Sequence, residues 1–236
     1  MSIAENVARI RREMDAAALA AGRDPKEIQL CAATKMNDAA AVRQAIAAGV
    51  DCCGENRVQE LVQKQAEDAY RGAPVHFIGH LQTNKVRQVV GHVDLIQSVG
   101  SVRLLSAIDA EAKKQGILQD ILLEINIAGE EAKTGFRPEE VLPLLEQIGN
   151  FSNICVRGLM SIPPIPKNPG DNLYFFQKIN QISVDIMEKK YDNVKVDCLS
   201  MGMSADFVDA IRCGATMIRI GTAIFGPRSY ASSVGR

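Results

Sequence analysis

The sequence predicts one α/β domain over residues 1–236, a closed (β/α)8 barrel with an extra helix in front of it. Short apolar runs of strand length alternate with amphipathic stretches of helical length along the whole chain, which is typical of a parallel sheet. Eight such runs can be counted, and 236 residues is about the size of a barrel of this kind. A doubly wound sheet usually needs fewer strands, and no linker rich in proline, glycine or serine divides the chain.

The helix in front of the barrel is predicted over residues 3–21. Apolar residues recur there at helical spacing and form one broad face, made of Ile3, Val7, Ile10, Met14 and Leu19. Gly22 follows, and we expect it to end the helix.

The eight predicted strands are residues 28–34, 51–54, 75–79, 93–99, 120–127, 154–161, 194–200 and 216–221. After the first strand, a helix is predicted to begin at Asn37 or Asp38, since either side chain can cap it, and to run to Gly49. The next helix follows Asn56. The proline-rich segment 162–172 follows the sixth strand, at the end of the barrel where active-site loops lie.

Charge and hydropathy argue against several classes of partner. With 27 basic and 28 acidic residues, the net charge of −1 gives no reason to expect nucleic acid or an anionic membrane surface as a partner. The first residues lack the apolar core of a signal peptide. No apolar stretch approaches the roughly 20 residues that cross a bilayer. We therefore expect a cytoplasmic protein without a membrane partner.

The cysteines and histidines indicate no metal site. The six cysteines include no C-x-x-C pair, which favours small buried side chains in a reducing compartment. His76, His80 and His92 are too few and too close in sequence for a convincing zinc site. We expect no bound metal.

Lys35 directly follows the first predicted strand and is the first candidate functional residue. With a strand period of two it shares a face with Cys31 and Ala33, while the more apolar opposite face suits packing against helices. Lys35 would then point into the barrel mouth, where partial desolvation lowers the pKa of an amine and lets it attack an aldehyde. A solvent-exposed loop lysine is the alternative for this residue taken alone.

The loops after the seventh and eighth strands have the composition of a phosphate site. Ser204 is a candidate helix N-cap, and Gly202 permits a tight turn before it. Gly221 and Thr222 head a short final helix. Loops at these two positions, beside the N-terminus of a short helix, bind phosphate in many barrels. Ordinary helix capping is the alternative.

Arg219 lies on the eighth predicted strand, on the face opposite Ile218 and Ile220. Since the isoleucines belong against the helices, the arginine is expected to point into the barrel, where an unpaired charge is unfavourable. Glu124, on the inward face of the fifth strand, is one candidate partner. The other is the nitrogen of a heterocyclic ligand, to which the guanidinium donates and whose protonation it discourages.

Seven motifs, in order along nearly the whole chain, carry a family resemblance: AATK at 32–35, GENRVQE at 54–60, HFIGHLQTNK at 76–85, KTGF at 133–136, RGLMSIPP at 157–164, LSMGMSAD at 199–206 and IRIGTAIFG at 218–226. The set resembles the pyridoxal phosphate homeostasis protein family, which is related to the N-terminal barrel domain of alanine racemase. No single motif is specific, but the ordered set is.

The resemblance implies a fold-type III barrel that holds pyridoxal 5'-phosphate (PLP) as a Schiff base on Lys35. By motif position, Arg219 would face the ring nitrogen of the cofactor. The other implied positions are Ser204, Gly221, Thr222 and, as a further candidate, Ser200 for the phosphate, with Asn56 and Met160 lining the pocket.

The resemblance leaves a carrier and a racemase open. A carrier buffers PLP for vitamin B6 homeostasis and delivers it to apo-enzymes, without a catalytic residue of its own. A racemase needs a proton donor on each face of the reacting carbon, and alanine racemases take the second, a tyrosine, from an added C-terminal domain of the partner subunit. Here the chain ends at residue 236, soon after Gly226, and none of its four tyrosines (Tyr70, Tyr174, Tyr191 and Tyr230) clearly belongs in the pocket. We expect a monomeric carrier without dedicated turnover.

Lys133 follows the fifth predicted strand and is expected close to the barrel mouth. It is a candidate second amine that accepts the aldehyde during handover, since that exchange needs only a nearby uncharged amine. A solvated loop lysine is the alternative.

Overall fold

The computed structural model describes residues 1–130 and 133–226, and it shows a closed barrel of eight parallel strands. Each strand pairs with the next in the chain, and β8 pairs with β1. The strands are β1 Gln29–Ala33, β2 Cys52–Glu55, β3 Val75–Phe77, β4 Leu95–Val99, β5 Gln119–Ile125, β6 Ile154–Ser161, β7 Val194–Ser200 and β8 Met217–Ile220. The predicted fold class is confirmed. That a single domain covers the whole chain stays a prediction.

The α-helices of the described residues are α1 Ile3–Ala20, α2 Ala39–Ala47, α3 Val58–Ala66, α4 Val102–Gln115, α5 Pro138–Leu145, α6 Leu173–Met187, α7 Phe207–Arg212 and α8 Thr222–Phe225. Short 3₁₀ helices occur at Pro25–Glu27, Thr83–Gln88 and Ile148–Asn150. The segment between β3 and β4 therefore contains a 3₁₀ helix where the alternating pattern predicts an α-helix. Val86, Val89 and Val90 are nevertheless buried, so this segment covers the barrel as a helix would.

Helix α1 begins at a capping box and packs against α7 and α8. The Ser2 hydroxyl accepts from the Glu5 N–H at 3.2 Å, and the Glu5 carboxylate accepts from the Ser2 N–H at 2.7 Å. The Asn6 amide donates to the carbonyl of Ile224 at 2.9 Å and ties α1 to the end of the barrel that follows β8. Neither α1 nor any other helix among the described residues combines the length and apolarity of a membrane span.

The predicted apolar face of α1 is confirmed for Val7, Ile10 and Met14, which are at most 2 % exposed. It is wrong for Leu19, which is 67 % exposed. The small side chains of Ala17 and Ala18 occupy the buried positions of the last turn instead, which turns Leu19 towards solvent. Gly22 follows the C-cap residue Ala21 with a φ of +69°, which few other residues adopt, and the helix ends before it as predicted.

Strand alternation separates two apolar layers. The barrel interior is filled by Cys31, Cys52, Leu95, Leu122, Met160, Cys198 and Met217. Their neighbours in the chain, such as Leu30 and Ile218, belong to the larger layer between the strands and the helices. The predicted inward face of β1 and outward face of the isoleucines on β8 are therefore confirmed.

Candidate cofactor site

A cavity of about 360 Å³ opens at the carboxyl ends of the strands, next to β1, β2 and β8. Its volume lies within the range of about 300–1,000 Å³ that small-molecule sites occupy. Six of the eight predicted cofactor-binding residues line it, namely Lys35, Asn56, Ser204, Arg219, Gly221 and Thr222. The structure thus brings these residues together, whereas the roles predicted for them towards a cofactor stay predictions.

Lys35 lies half-buried in a turn directly after β1 and lines the cavity. The next residue, Met36, has a φ of +60°, a left-handed conformation that a residue with a side chain rarely adopts. Its backbone N–H donates to the Glu60 carboxylate at 2.7 Å, and the Asn37 side-chain amide donates to the Lys35 carbonyl at 3.0 Å. These bonds hold the turn that carries Lys35.

A buried charged network lies behind this turn and connects β1 and β2 to α3; we call Thr34, Glu55, Lys64 and Tyr70 the Glu55 network. Glu55 is fully buried, and its Oε1 accepts from Lys64 Nζ at 2.5 Å. The same oxygen accepts from the hydroxyls of Thr34 at 2.5 Å and Tyr70 at 3.0 Å. Lys64 Nζ also donates to the Thr34 carbonyl at 2.8 Å. Since Thr34 precedes Lys35, the ion pair is attached directly to the turn.

Tyr70 is a hydrogen-bond donor in this network. Burial, and then the adjacent Glu55 carboxylate, raise the pKa of Tyr70 above its ordinary value. The phenol therefore stays protonated, and its O–H donates a hydrogen bond to Glu55. This agrees with the expectation that Tyr70 lies away from the cavity.

Arg219 is 4 % exposed and points into the barrel, as predicted. Its Nη1 donates to Ser200 Oγ at 2.5 Å, and its Nη2 donates to the Ser161 carbonyl at 2.9 Å. Burial lowers the pKa of Arg219, but a guanidinium keeps its proton in proteins. Glu124, the candidate partner from the sequence, accepts from the Thr134 hydroxyl instead, at 3.2 and 3.3 Å. Both hydrogen-bond partners of the Arg219 guanidinium, the Ser200 hydroxyl and the Ser161 carbonyl, are thus uncharged.

Two predicted site residues, Met160 and Ser200, lie deeper than the cavity. Both are fully buried, and they pair across β6 and β7 in the same layer as Met217 of β8. Arg219 stands two residues beyond Met217, one layer closer to the barrel mouth. The Met160 side chain packs in the barrel interior, and its place in the cofactor pocket stays a prediction. Ser200 is fully buried and accepts a hydrogen bond from Arg219, and its role as a further candidate for the phosphate stays a prediction.

The loop after β7 differs from the prediction in one respect. Asp206, not Ser204, is the residue before α7, and its carboxylate accepts from the Met203 N–H at 2.7 Å. The predicted N-cap role of Ser204 is therefore wrong, and this residue lines the cavity from the loop. The predicted tight turn at Gly202 is confirmed by a φ of +90°, and a Cβ there would lie 2.5 Å from that of Ala210.

The end of β8 runs directly into α8. Gly221 is the residue before this helix and Thr222 is its first residue, as the sequence predicts for a short final helix. The first N–H groups of an α-helix have no partner within the helix, so they can donate hydrogen bonds to an anionic ligand. Both residues line the cavity beside Ser204.

Asn56 enters the cavity from the end of β2. Its Oδ1 is buried and has no hydrogen-bond partner among the described residues. Buried polar atoms are nearly always partnered, so this oxygen indicates a missing donor that a ligand would supply. The backbone of Asn56 is held tightly against Gly79, where a Cβ would lie 2.1 Å from the Asn56 carbonyl oxygen.

Sequence reasoning missed a second cavity of about 430 Å³ on the same face, lined by His80, Glu124, Ile125, Asn126, Lys133, Thr134 and Ile162. Ile162 also lines the first cavity. Burial raises the pKa of Glu124, whereas Lys133 Nζ pairs with Glu130 at 2.6 Å. The cluster of polar residues at the end of β5, together with the KTGF motif, is the signal that could have located this cavity.

Comparison with known proteins places the chain in a family. A sequence profile described as "Alanine racemase, N-terminal domain" matches residues 2–229. The pyridoxal phosphate homeostasis protein of Aquifex aeolicus is 40 % identical over 230 residues, which cover 98 % of this chain and 100 % of the relative. The protein of the same name from Pseudomonas aeruginosa is 39 % identical over 232 residues, which cover 98 % of this chain and 98 % of the relative.

Solved structures agree with these matches. PipY of Synechococcus elongatus with PLP bound has a TM-score of 0.81 at 34 % identity, with 95 % of this chain and 100 % of that chain covered. An alanine racemase of Clostridium difficile has a TM-score of 0.68 at 14 % identity over 96 % of this chain and 58 % of that chain, which shows a shared barrel fold alone. The chain therefore belongs to the alanine racemase N-terminal domain family and, within it, to the pyridoxal phosphate homeostasis proteins.

Proposed function

We propose that this protein binds PLP as a Schiff base on Lys35 and holds it for delivery to apo-enzymes, as part of vitamin B6 homeostasis. The observation that carries the proposal is the convergence of an amine, a buried guanidinium and an orphaned amide oxygen in one cavity. The names of the relatives and the PLP bound to PipY support it.

The residues of the cavity fit the polar groups of the cofactor. The N–H groups of Gly221 and Thr222, with the hydroxyls of Ser204 and Thr222, form an uncharged donor set suited to a phosphate. The oxygen of Asn56 accepts from a hydroxyl of the ligand. The amine of Lys35 is then left to react with the aldehyde, and the guanidinium of Arg219 to donate to the ring nitrogen.

PLP supplies an aldehyde, with which the amine of Lys35 condenses to an imine and releases one water molecule. The permanent charge of Arg219 opposes protonation of the ring nitrogen, because two adjacent buried cations repel each other. A ring without that proton withdraws electrons weakly. This favours stable storage of the cofactor over chemistry that needs a carbanion.

A racemase needs a second group that exchanges protons, beyond the lysine. Among the described residues that line the cavity, Lys35 and Arg219 are the ionisable ones. Tyr70 donates to Glu55, and Tyr174 is 67 % exposed on α6. Tyr230 lies outside the described residues. These positions support a carrier without dedicated turnover, which we propose acts as a monomer with apo-enzymes as its acceptors.

The spectrum of the purified protein tests the cofactor proposal. Wild type incubated with PLP and then dialysed is expected to be yellow, and Lys35→Ala to be colourless. Lys167→Ala serves as a matched control, because this lysine is exposed in the loop after β6. A colourless wild type, or a Lys35→Ala variant that keeps the absorbance band of wild type, contradicts the proposal.

Transfer and turnover assays then separate carrier from racemase. Loaded wild type is expected to restore the activity of an apo-PLP enzyme and to leave a panel of free amino acids unchanged. Saturable racemisation that disappears in Lys35→Ala would replace the carrier by the racemase. Transfer by Lys133→Ala at the wild-type rate would remove the hypothesis that Lys133 accepts the aldehyde during handover.

A further inference from the structure

Three donor side chains that take no part in the proposed cofactor site meet inside the barrel. Cys31 of β1, Cys52 of β2 and His76 of β3 are 0 %, 2 % and 6 % exposed. One ligand atom of each, Sγ for the cysteines and a ring nitrogen for the histidine, lies within 4.8 Å of the other two. Cys31 and Cys52 are direct partners in the pairing of β1 with β2, so adjacent strands fix both thiols.

We propose that Cys31, Cys52 and His76 form a binding site for one thiophilic cation of the zinc(II) class. Two cysteine sulfurs and an imidazole nitrogen are the ligands that this class prefers. Binding releases one proton from each thiol, and the two thiolates then balance the charge of a divalent ion. The ion and its ligands together then carry no net charge, which limits the cost of placing the ion in a buried position.

The spacing of the donors agrees with tetrahedral coordination. A sulfur about 2.3 Å and a nitrogen about 2.0 Å from one zinc ion lie about 3.5 Å apart when the ligand directions are tetrahedral. Cys52 Sγ lies 3.5 Å from His76 Nδ1. Cys31 and Cys52 are Cα partners on neighbouring strands. A small change of side-chain torsion would therefore bring the Cys31 sulfur to the same metal ion.

Gln97 of β4 is next to the fourth coordination position. Its side-chain amide lies 2.9 Å from His76 Nδ1, with the nitrogen towards the imidazole and the oxygen towards Ser200. A half-turn of the amide presents the oxygen to the cation instead. The surrounding side chains of Leu122, Met160 and Met217 exclude water, so the ion would be held by protein donors.

The remaining four cysteines provide the contrast. Cys53 and Cys198 are buried but lie outside the three-residue cluster, and Cys155 and Cys213 are half-buried. A buried thiol alone behaves as a small apolar side chain. Cys31 and Cys52 differ from these four because they lie next to the buried imidazole of His76. If this position served packing alone, an apolar side chain would fill the space and would need no hydrogen-bond partner.

The test is metal analysis of the full chain expressed with zinc, followed by cadmium titration of the chelator-treated protein. We expect close to one zinc per chain and a cadmium–thiolate absorbance band that saturates at one equivalent. Cys52→Ala and His76→Gln should each weaken metal binding at least about tenfold, because losing even an outer-shell partner of a metal ligand costs about 10- to 100-fold. The double variant Cys155→Ala/Cys213→Ala should bind as wild type. Zinc-free protein without a cadmium–thiolate band overturns the proposal, as does binding that is lost only in the double variant.

X-ray absorption on zinc-loaded wild type keeps the test decisive if a variant fails to fold. Two sulfur neighbours at about 2.3 Å with nitrogen or oxygen at about 2.0–2.1 Å are expected, and a shell without sulfur contradicts the site. Lys35→Ala should keep the metal while losing the cofactor. Metal binding and PLP binding can therefore fail separately.

Discussion

Lys64 and Arg219 are both buried cations, 5 % and 4 % exposed, but they have opposite kinds of partner. Lys64 is paired with the Glu55 carboxylate at 2.5 Å and lies 3.4 Å from the Glu60 carboxylate. Arg219 donates to a hydroxyl and to a backbone carbonyl. A carboxylate cancels a charge, whereas dipoles only solvate it. Lys64 therefore belongs to the fold, while the charge of Arg219 remains available to a ligand.

The location of the two cations agrees with this difference. Lys64 lies outside the strands, in the Glu55 network behind the turn of Lys35. Arg219 lies inside the barrel and lines the cavity. The two cations thus act on opposite ends of the proposed site, one by holding the backbone at Thr34 and the other by facing the ligand. Substitutions that remove each charge should separate stability from affinity.

Removing the charge of Lys64 should have the largest effect. Lys64→Met leaves the Glu55 carboxylate buried without its counter-ion and is expected to lower the free energy of unfolding by about 3–5 kcal/mol. Urea denaturation followed by circular dichroism measures it. Lys114→Met is the matched control, because Lys114 is 73 % exposed and forms a surface ion pair with Glu111 at 3.6 Å. This control substitution should change the free energy of unfolding by less than about 0.5 kcal/mol. Equal effects of the two substitutions would show that the Glu55 network is not a stabilising element.

Removing the charge of Arg219 should change affinity more than stability. Arg219→Met fills a similar volume and takes away no ion pair, only the hydrogen bonds to Ser200 and to the Ser161 carbonyl, so the apoprotein should lose less stability than in Lys64→Met. The proposed hydrogen bond to the ring nitrogen would be charge-assisted and worth about 1.5–3 kcal/mol, so the Kd for PLP should rise about 10- to 100-fold in a spectroscopic titration. A fall in stability as large as that of Lys64→Met, with unchanged affinity, would reverse the comparison.

The smallest expected effect concerns Glu124, which the sequence offered as the counter-ion of Arg219. Burial raises the pKa of Glu124 above the ordinary 4.5, so the folded state disfavours its ionised form. Stability is then lost as the pH rises through the interval between the ordinary and the raised pKa. Glu124→Gln should raise the Tm at pH 7 by no more than about 2 °C and leave it unchanged at about pH 4. A lower Tm at pH 7 would mean that the carboxylate is a needed partner.

Side-chain directions and positions that depend on a single strand could be predicted from the sequence. The alternation of β8 gave the inward direction of Arg219, and the strand end of β1 gave the location of Lys35. Both follow from a period of two, which needs no knowledge of the neighbouring strands.

Depth within the barrel could not be predicted, because it depends on the stagger between strands. Ser200 is the last residue of its strand and Met160 the last but one, but the pairing places them one layer below Arg219. The Glu55–Lys64 pair and the meeting of Cys31, Cys52 and His76 likewise join residues on different elements, whose contact is set by pairing and packing. The Leu19 error is of another kind, since alanines can replace a leucine on a helix face that packs closely.

The neutral hydrogen-bond partners of Arg219 have a consequence for the rate at which a ligand arrives. Among the described residues, no carboxylate lies within ion-pair distance of this guanidinium, so its field extends into the mouth of the barrel. A positive potential focused by low-dielectric walls raises the local concentration of anions and accelerates their diffusional capture. Added salt screens that field over a Debye length of about 10 Å at 0.1 M. Uptake of a phosphorylated ligand should therefore slow with ionic strength, even though the protein as a whole carries a net charge of only −1.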